Sequence, residues 1–414
     1  MRDLRVLTFL ATALLGSGCT GGFVRDASTQ LGVNGAAVEY QDWPGTNFAG
    51  PAAVMTTHTS SIAFQPGGTV FQSAGLYTNL PDEGVPGVPF LADGWYRVVV
   101  DAPSPFMNLG AAYYVDHRRD DECPYKDEDN VLLASDVCER QDFVVHPTAT
   151  TAVYDLEPDL IVDVRGMEGL YESNPAAFAP FTQCVTIDNG PVIAKVLRAS
   201  TSIANVGAGP LHLVGEDNGQ TTQQVYRRNA APQSVPVGGE FNPHPSHGHI
   251  HFDDYAHMRL VSKTGGCNYW LDRAESCIVS AGEKISFCVM ESDPFVESVV
   301  DFFEGPPGST GTWGLNFTNG NSVCHSNEQG LRPGWTDTYS TRLPGQWVDV
   351  EDVPPGDYWL EAEVDPDGQL VERTRDNNIA RYPVTIDGSC DQVLNCNSGT
   401  MYSDQHECLD FVPG

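Results

Sequence analysis

Positive charge is scarce in this chain. Its 414 residues carry 22 Lys and Arg against 55 Asp and Glu, a formal net charge of −33. Such a field repels nucleic acid, which is set aside as a partner, and it draws in cations. Charged residues of both signs make up only 19% of the chain, whereas Gly (41) and Pro (29) are plentiful. No stretch with helical periodicity runs beyond a few turns, and no fixed-period repeat is present. Long helices, coiled coils and solenoids are therefore excluded in favour of many short strands joined by tight turns. None of the 11 cysteines stands in a CxxC pair, which argues against a zinc ribbon or a thioredoxin-like site. The apolar run at the start, Val6–Leu15, is too short to span a bilayer.

What is present begins with an export signal. Arg2 and Arg5 precede the apolar run, and Gly16-Ser17-Gly18 leads into Cys19. Small residues before a cysteine form a lipoprotein-type cleavage box, so residues 1–19 read as a signal peptide and Cys19 as the lipid-anchored start of the mature chain. Thr20, rather than Asp, follows the cysteine, which points to the outer membrane or cell surface of a Gram-negative bacterium. Setting Cys19 aside leaves an even number of cysteines, as expected of disulfides in an oxidising compartment. Cys123–Cys138 and Cys267–Cys277 are plausible local pairs.

The chain is expected to be mainly β. Residues 20–50 read as a spacer with few aromatics. Residues 51–156 read as a small β-sandwich-like domain of unassigned role, with runs such as Gly94–Val100. Residues 157–388 form a second β domain, and residues 389–414 a cysteine-containing tail held down by disulfides. In the second domain Tyr358, Leu360, Ala362 and Val364 share one strand face, between Pro-Gly and Asp-Gly turns.

The densest chemical feature is Asn242-Pro243-His244-Pro245-Ser246-His247-Gly248-His249-Ile250-His251-Phe252. Two prolines disfavour a helix. On a strand His247, His249 and His251 face one side, and Ile250 and Phe252 the other. Same-side neighbours on a flat strand are about 6.6 Å apart, so one metal reaches all three imidazoles only if the strand bends. Gly248 permits that bend. Three imidazoles suit copper or zinc, with copper higher in intrinsic affinity. His244, beyond a proline, is a weaker candidate.

Further on stand Gly282-Glu283-Lys284-Ile285-Ser286-Phe287-Cys288, then Trp335-Thr336-Asp337-Thr338-Tyr339, then Gln346-Trp347-Val348-Asp349. Taken with the histidines, this order resembles the catalytic domain of lysyl oxidases over residues 157–387. Pro158-Asp159-Leu160, Val196-Leu197-Arg198 and Asn205-Val206-Gly207 resemble the family's opening and first core strand. The resemblance implies a lysyl-oxidase-like β-sandwich, with His247, His249 and His251 as copper ligands. It implies Lys284 and Tyr339 as the pair that crosslinks into lysine tyrosylquinone. It also implies a copper amine oxidase of protein-lysine 6-oxidase type. Such an enzyme uses O2 to deaminate peptidyl-lysine or small primary amines to an aldehyde, releasing H2O2 and ammonia. Asp253, Asp254 and His257 are candidates for the general base. The resemblance further implies a calcium site of Asp159, the Leu160 carbonyl, Glu372, Asn377 and Asn378.

Departures accompany the resemblance. Thr374 stands where the family has an aspartate of the calcium loop. Ser246, Trp335 and Gly345 replace cysteines of animal enzymes, so the disulfide framework differs. The Gly/Pro-rich stretch 304–320 is a candidate loop over the site. A non-catalytic extracellular copper-binding or adhesion protein on the same fold is the alternative.

Overall fold

The computed structural model describes residues 20–42, 53–58, 60–64, 71–78, 94–108, 112–117, 139–140, 143–167, 179–216, 219–243, 250–264, 267, 275–282, 286–295, 327–375, 377–397 and 408. Over these residues the protein is mainly β, as expected, with one four-residue α-helix at Val164–Met167. The chain divides into two compact units, Met1–Tyr154 with Gly266–Arg273, and Asp155–Gly265 with Ala274–Gly414.

The first unit holds two sheets. One runs Ser60–Phe64, Phe71–Thr78, Thr20–Asp26, Phe143–Pro147, Phe106–Asn108, and the other Ala53–His58, Ala37–Asp42, Gly94–Asp101, Ala112–His117. Within the expected spacer, Thr20–Asp26 and Ala37–Asp42 are strands of these sheets. Thr20–Asp26 pairs in parallel with Phe143–Pro147 and antiparallel with Phe71–Thr78, and Ala37–Asp42 lies between two partners. The reason is a period of two in small apolar residues: Ala36, Val38 and Tyr40 are fully buried beside Val98 and Val100. Few aromatics and the Gly21-Gly22 pair hide that period in the sequence.

In the second unit one sheet runs Leu160–Val162, Thr201–Asn205, Trp335–Tyr339, Asp293–Pro294. A second runs Ile278–Ala281, Ala256–Ser262, Gly356–Val364, Ile379–Ile386, and a third Trp347–Asp349, Val192–Arg198, Phe181–Ile187, Gln392–Cys396. The last strand pairs in parallel with Phe181–Ile187, a match that local sequence cannot supply. Disulfides Cys184–Cys390 and Cys396–Cys408 flank it. Cys267, Cys277 and Cys288 are each disulfide-bonded as well, while Cys123 and Cys138 lie outside the described residues.

The loop before Leu160 is set by Asn205. Its Oδ1 accepts from the backbone N–H of Asp159 (3.2 Å) and of Gly207 (2.9 Å). Its Nδ2 donates to the carbonyls of Gly209 (3.0 Å) and Leu331 (2.8 Å). Gly207 packs so closely there that a Cβ would lie 2.4 Å from the Asp159 nitrogen. That close approach requires glycine and fixes where Asp159 stands.

Candidate functional site

His251 occupies the centre of the short strand Ile250–Phe252. On one side this strand pairs with Phe241–Pro243, His251 lying opposite Asn242. On the other, Phe252 and Phe287 exchange both backbone hydrogen bonds, at 2.7 and 3.0 Å. Gln329 ties the same two segments together, donating to the Ile250 carbonyl and accepting from the Val289 N–H, each at 2.8 Å. The His251 ring is buried, with Nδ1 3.3 Å from Ser286 Oγ. His244, His247, Gly248 and His249 lie outside the described residues, as do Lys284 and the stretch 304–320.

Tyr339 ends the strand Trp335–Tyr339 and is 8% exposed. Its hydroxyl donates to the Cys288 carbonyl. Its ring meets the edge of Phe287, centroids 4.9 Å apart at 81°. Burial pushes the phenol pKa well above its usual range, the neighbouring Asp337 and Tyr255 add to the rise, and the Cys288 carbonyl opposes it. Three consecutive residues, Ser286, Phe287 and Cys288, therefore contact both the described histidine and the tyrosine, and Lys284 stands two positions before them in the chain.

The candidate bases are placed differently from Tyr339. Asp253 accepts from the Asn242 side chain, and Asp254 turns the chain at φ 55°. His257 Nε2 lies 3.2 Å from Glu363 Oε2, on a sheet face it shares with Arg259. Nothing in these contacts directs any of the three at the phenol.

The residues of the expected oxygen-ligand site do come together. Glu372 accepts from the Leu160 N–H (3.2 Å) and from Asn378 Nδ2 (2.7 Å). Asp159 accepts from Asn377 Nδ2 (2.8 Å) and pairs with Arg373 (2.7 Å). The Oδ1 atoms of Asn377 and Asn378 are buried without a hydrogen-bond partner among the described residues. Burial, with Asp159 and Asp365 close by, raises the Glu372 carboxyl to about 8, against the opposing Asn378 hydrogen bond. Among the described residues, no group of three or more His, Cys, Asp or Glu side chains forms a ready metal site.

Residues 316–396 match the family model described as Lysyl oxidase. Lysyl oxidase homolog 1 of Homo sapiens is 31% identical over 154 residues, 37% of this chain and 22% of that protein. Lysyl oxidase homolog 2B of Danio rerio is 28% identical over 218 residues, 52% of this chain and 24% of that protein. Over these stretches the chain is similar to the lysyl oxidase family. It spans under a quarter of the length of these relatives. Among solved structures the Bacillus anthracis TIE protein aligns over 92% of this chain and 50% of its own, at 7% identity and a TM-score of 0.17, too slight to carry an argument.

The lysyl oxidase match takes in Tyr339 and the stretch holding Glu372, Asn377 and Asn378, whereas the histidines and Lys284 precede it. Sequence reasoning singled out Lys284 and Tyr339 but passed over the groups around them. Asp337 is fully buried and raises the pKa of both Tyr339 and Tyr255. Tyr255 is fully buried, its ring edge-on to Phe287 at 6.0 Å. The Asp337-Thr338-Tyr339 motif was a signal for the first; nothing local marks Tyr255.

Proposed function

We propose that this protein is an exported, copper-dependent amine oxidase acting on peptidyl-lysine or small primary amines. His247, His249 and His251 would hold copper, and the donor set fits, because three imidazoles suit that metal. With O2, copper would supply the oxidation that turns Tyr339 into a quinone crosslinked to Lys284, the lysine tyrosylquinone that deaminates amines to aldehydes with release of H2O2 and ammonia. The observation that carries the reading is the segment Ser286–Phe287–Cys288, which contacts the His251 ring at one end and the Tyr339 hydroxyl at the other.

The chain's own residues have definite tasks in this scheme. The Cys288 carbonyl and the edge of Phe287 hold the Tyr339 ring in one orientation, and burial keeps its hydroxyl protonated until oxidation. Neutral imidazole is the form that binds metal, and the His251 ring is buried. The net charge of −33 concentrates protonated amines near the protein. Calcium would sit on Asp159, the Leu160 carbonyl, Glu372, Asn377 and Asn378. The buried amide oxygens of the two asparagines, without a hydrogen-bond partner among the described residues, fit a hard cation. Export, with Cys19 as a lipid anchor at a Gram-negative outer membrane or cell surface, agrees with the disulfides of the second unit.

Digestion and mass spectrometry of protein loaded with copper under air tests the reading. The expected product is a peptide joining Lys284 to Tyr339, absent from Tyr339→Phe protein that still binds copper. Separate, unmodified Lys284 and Tyr339 peptides would leave a copper-binding protein without the oxidase chemistry.

A further inference from the structure

An imidazole offers a metal the ring nitrogen that bears no proton. Where one nitrogen donates to a neighbour, the other is left as ligand. His251 is 2% exposed, and its Nδ1 lies 3.3 Å from Ser286 Oγ. Backbone contacts set this approach. Phe252 and Phe287, the residues following each partner, exchange hydrogen bonds of 2.7 and 3.0 Å. Gln329 clamps the two segments from Ile250 and Val289. Four hydrogen bonds therefore hold a hydroxyl against one nitrogen of a buried ring. Two polarities satisfy that contact: Nδ1–H donating to Oγ, or the hydroxyl donating to an unprotonated Nδ1.

We propose that Ser286 is the positioning residue of His251, its Oγ accepting from Nδ1–H so that the ring presents Nε2 to copper. The purpose rests on the copper reading above; the tautomer does not. A hydroxyl suits the position because it accepts here and can turn its own hydrogen elsewhere, whereas an alanine methyl removes this partner from Nδ1.

Histidine-selective 15N labelling of the metal-free full chain reads the tautomer, with His251 assigned by comparison with His251→Gln. Wild type is expected to carry the proton on Nδ1, Ser286→Ala to lose that preference, and Ser286→Thr to restore it. Copper(II) competition against a chelator is expected to show Ser286→Ala binding about 10–100-fold more weakly, with Ser286→Thr close to wild type. A wild-type His251 protonated on Nε2 overturns the proposal, whether or not the variants fold. So does a Ser286→Ala protein with unchanged copper affinity. An Nδ1 tautomer lost in Ser286→Ala, in a wild-type protein that takes up no copper, upholds Ser286 and removes the copper reading instead.

Discussion

Asn205 is fully buried and uses its side chain at four points: two backbone N–H groups on one oxygen and two carbonyls on one amide. A buried amide so placed acts as a clip between the loop at Asp159, the turn at Gly207 and the strand ending at Leu331. Replacing it by alanine strands several buried backbone groups, each costing about 1–3 kcal/mol when unpaired. Asn205→Ala is therefore expected to lose on the order of 3 kcal/mol or more in urea unfolding, with a matching fall in any calcium-dependent stabilisation, because Asp159 is carried by the same clip. A loss below about 0.5 kcal/mol, the scale of ordinary surface substitutions, would mean that water or neighbouring residues replace the amide.

The strand Gly356–Val364 shows what alternation reveals and what it leaves out. Tyr358, Leu360, Ala362 and Val364 were legible as one face; the last three are buried and Tyr358 is half-buried. The opposite face is buried too: Glu361 and Glu363 are each 2% exposed. The neighbouring strands supply the reason. Arg259 lies opposite Glu361 on one side and bonds it at 2.5 Å, and Arg381 lies opposite it on the other and bonds it at 2.6 Å. Alternation reports the period of a strand but not what covers its second face, since that cover comes from chain far away in sequence. The same limit hid the parallel pairing of Gln392–Cys396 with Phe181–Ile187, and the strands at 20–26 and 37–42. The strand at Ile250–Phe252 was legible from prolines and spacing, while the rest of the histidine run lies outside the described residues. The contact of His251 with Ser286 was not, because the pairing of Phe252 with Phe287 joins residues 35 apart. Removing one partner of a buried ion pair costs about 3–5 kcal/mol, so Glu361→Ala is expected to destabilise by that order and Glu361→Gln by less. Equal midpoints in guanidinium titrations of wild type and Glu361→Ala would show that the arginines reach other partners.

At the scale of the whole second unit, Asp159 and Leu160 are closed against Glu372, Asn377 and Asn378 from the far end of the domain, over 200 residues away. The family resemblance, and not spacing, had grouped these five residues. Glu372 makes the contact depend on pH. Its carboxyl is raised from 4.5 to about 8, chiefly by burial. A carboxyl raised in the folded state stabilises fully below its unfolded pKa and loses that contribution as pH climbs through the folded value. The metal-free protein is thus expected to melt at steadily lower temperature between pH 4.5 and 8, with a slope of at most about 1.4 kcal/mol per pH unit for the one proton. Calcium favours the ionised form, so its stabilisation should grow over the same window and be largest near pH 8.5. With a net charge of −33 any divalent ion screens repulsion across the molecule, so magnesium at equal ionic strength is the required comparison. Glu372→Gln should flatten the pH slope and erase the difference between calcium and magnesium. Equal melting temperatures in the two ions for wild type at pH 8.5 would reduce the asparagine and carboxylate cluster to a structural clasp.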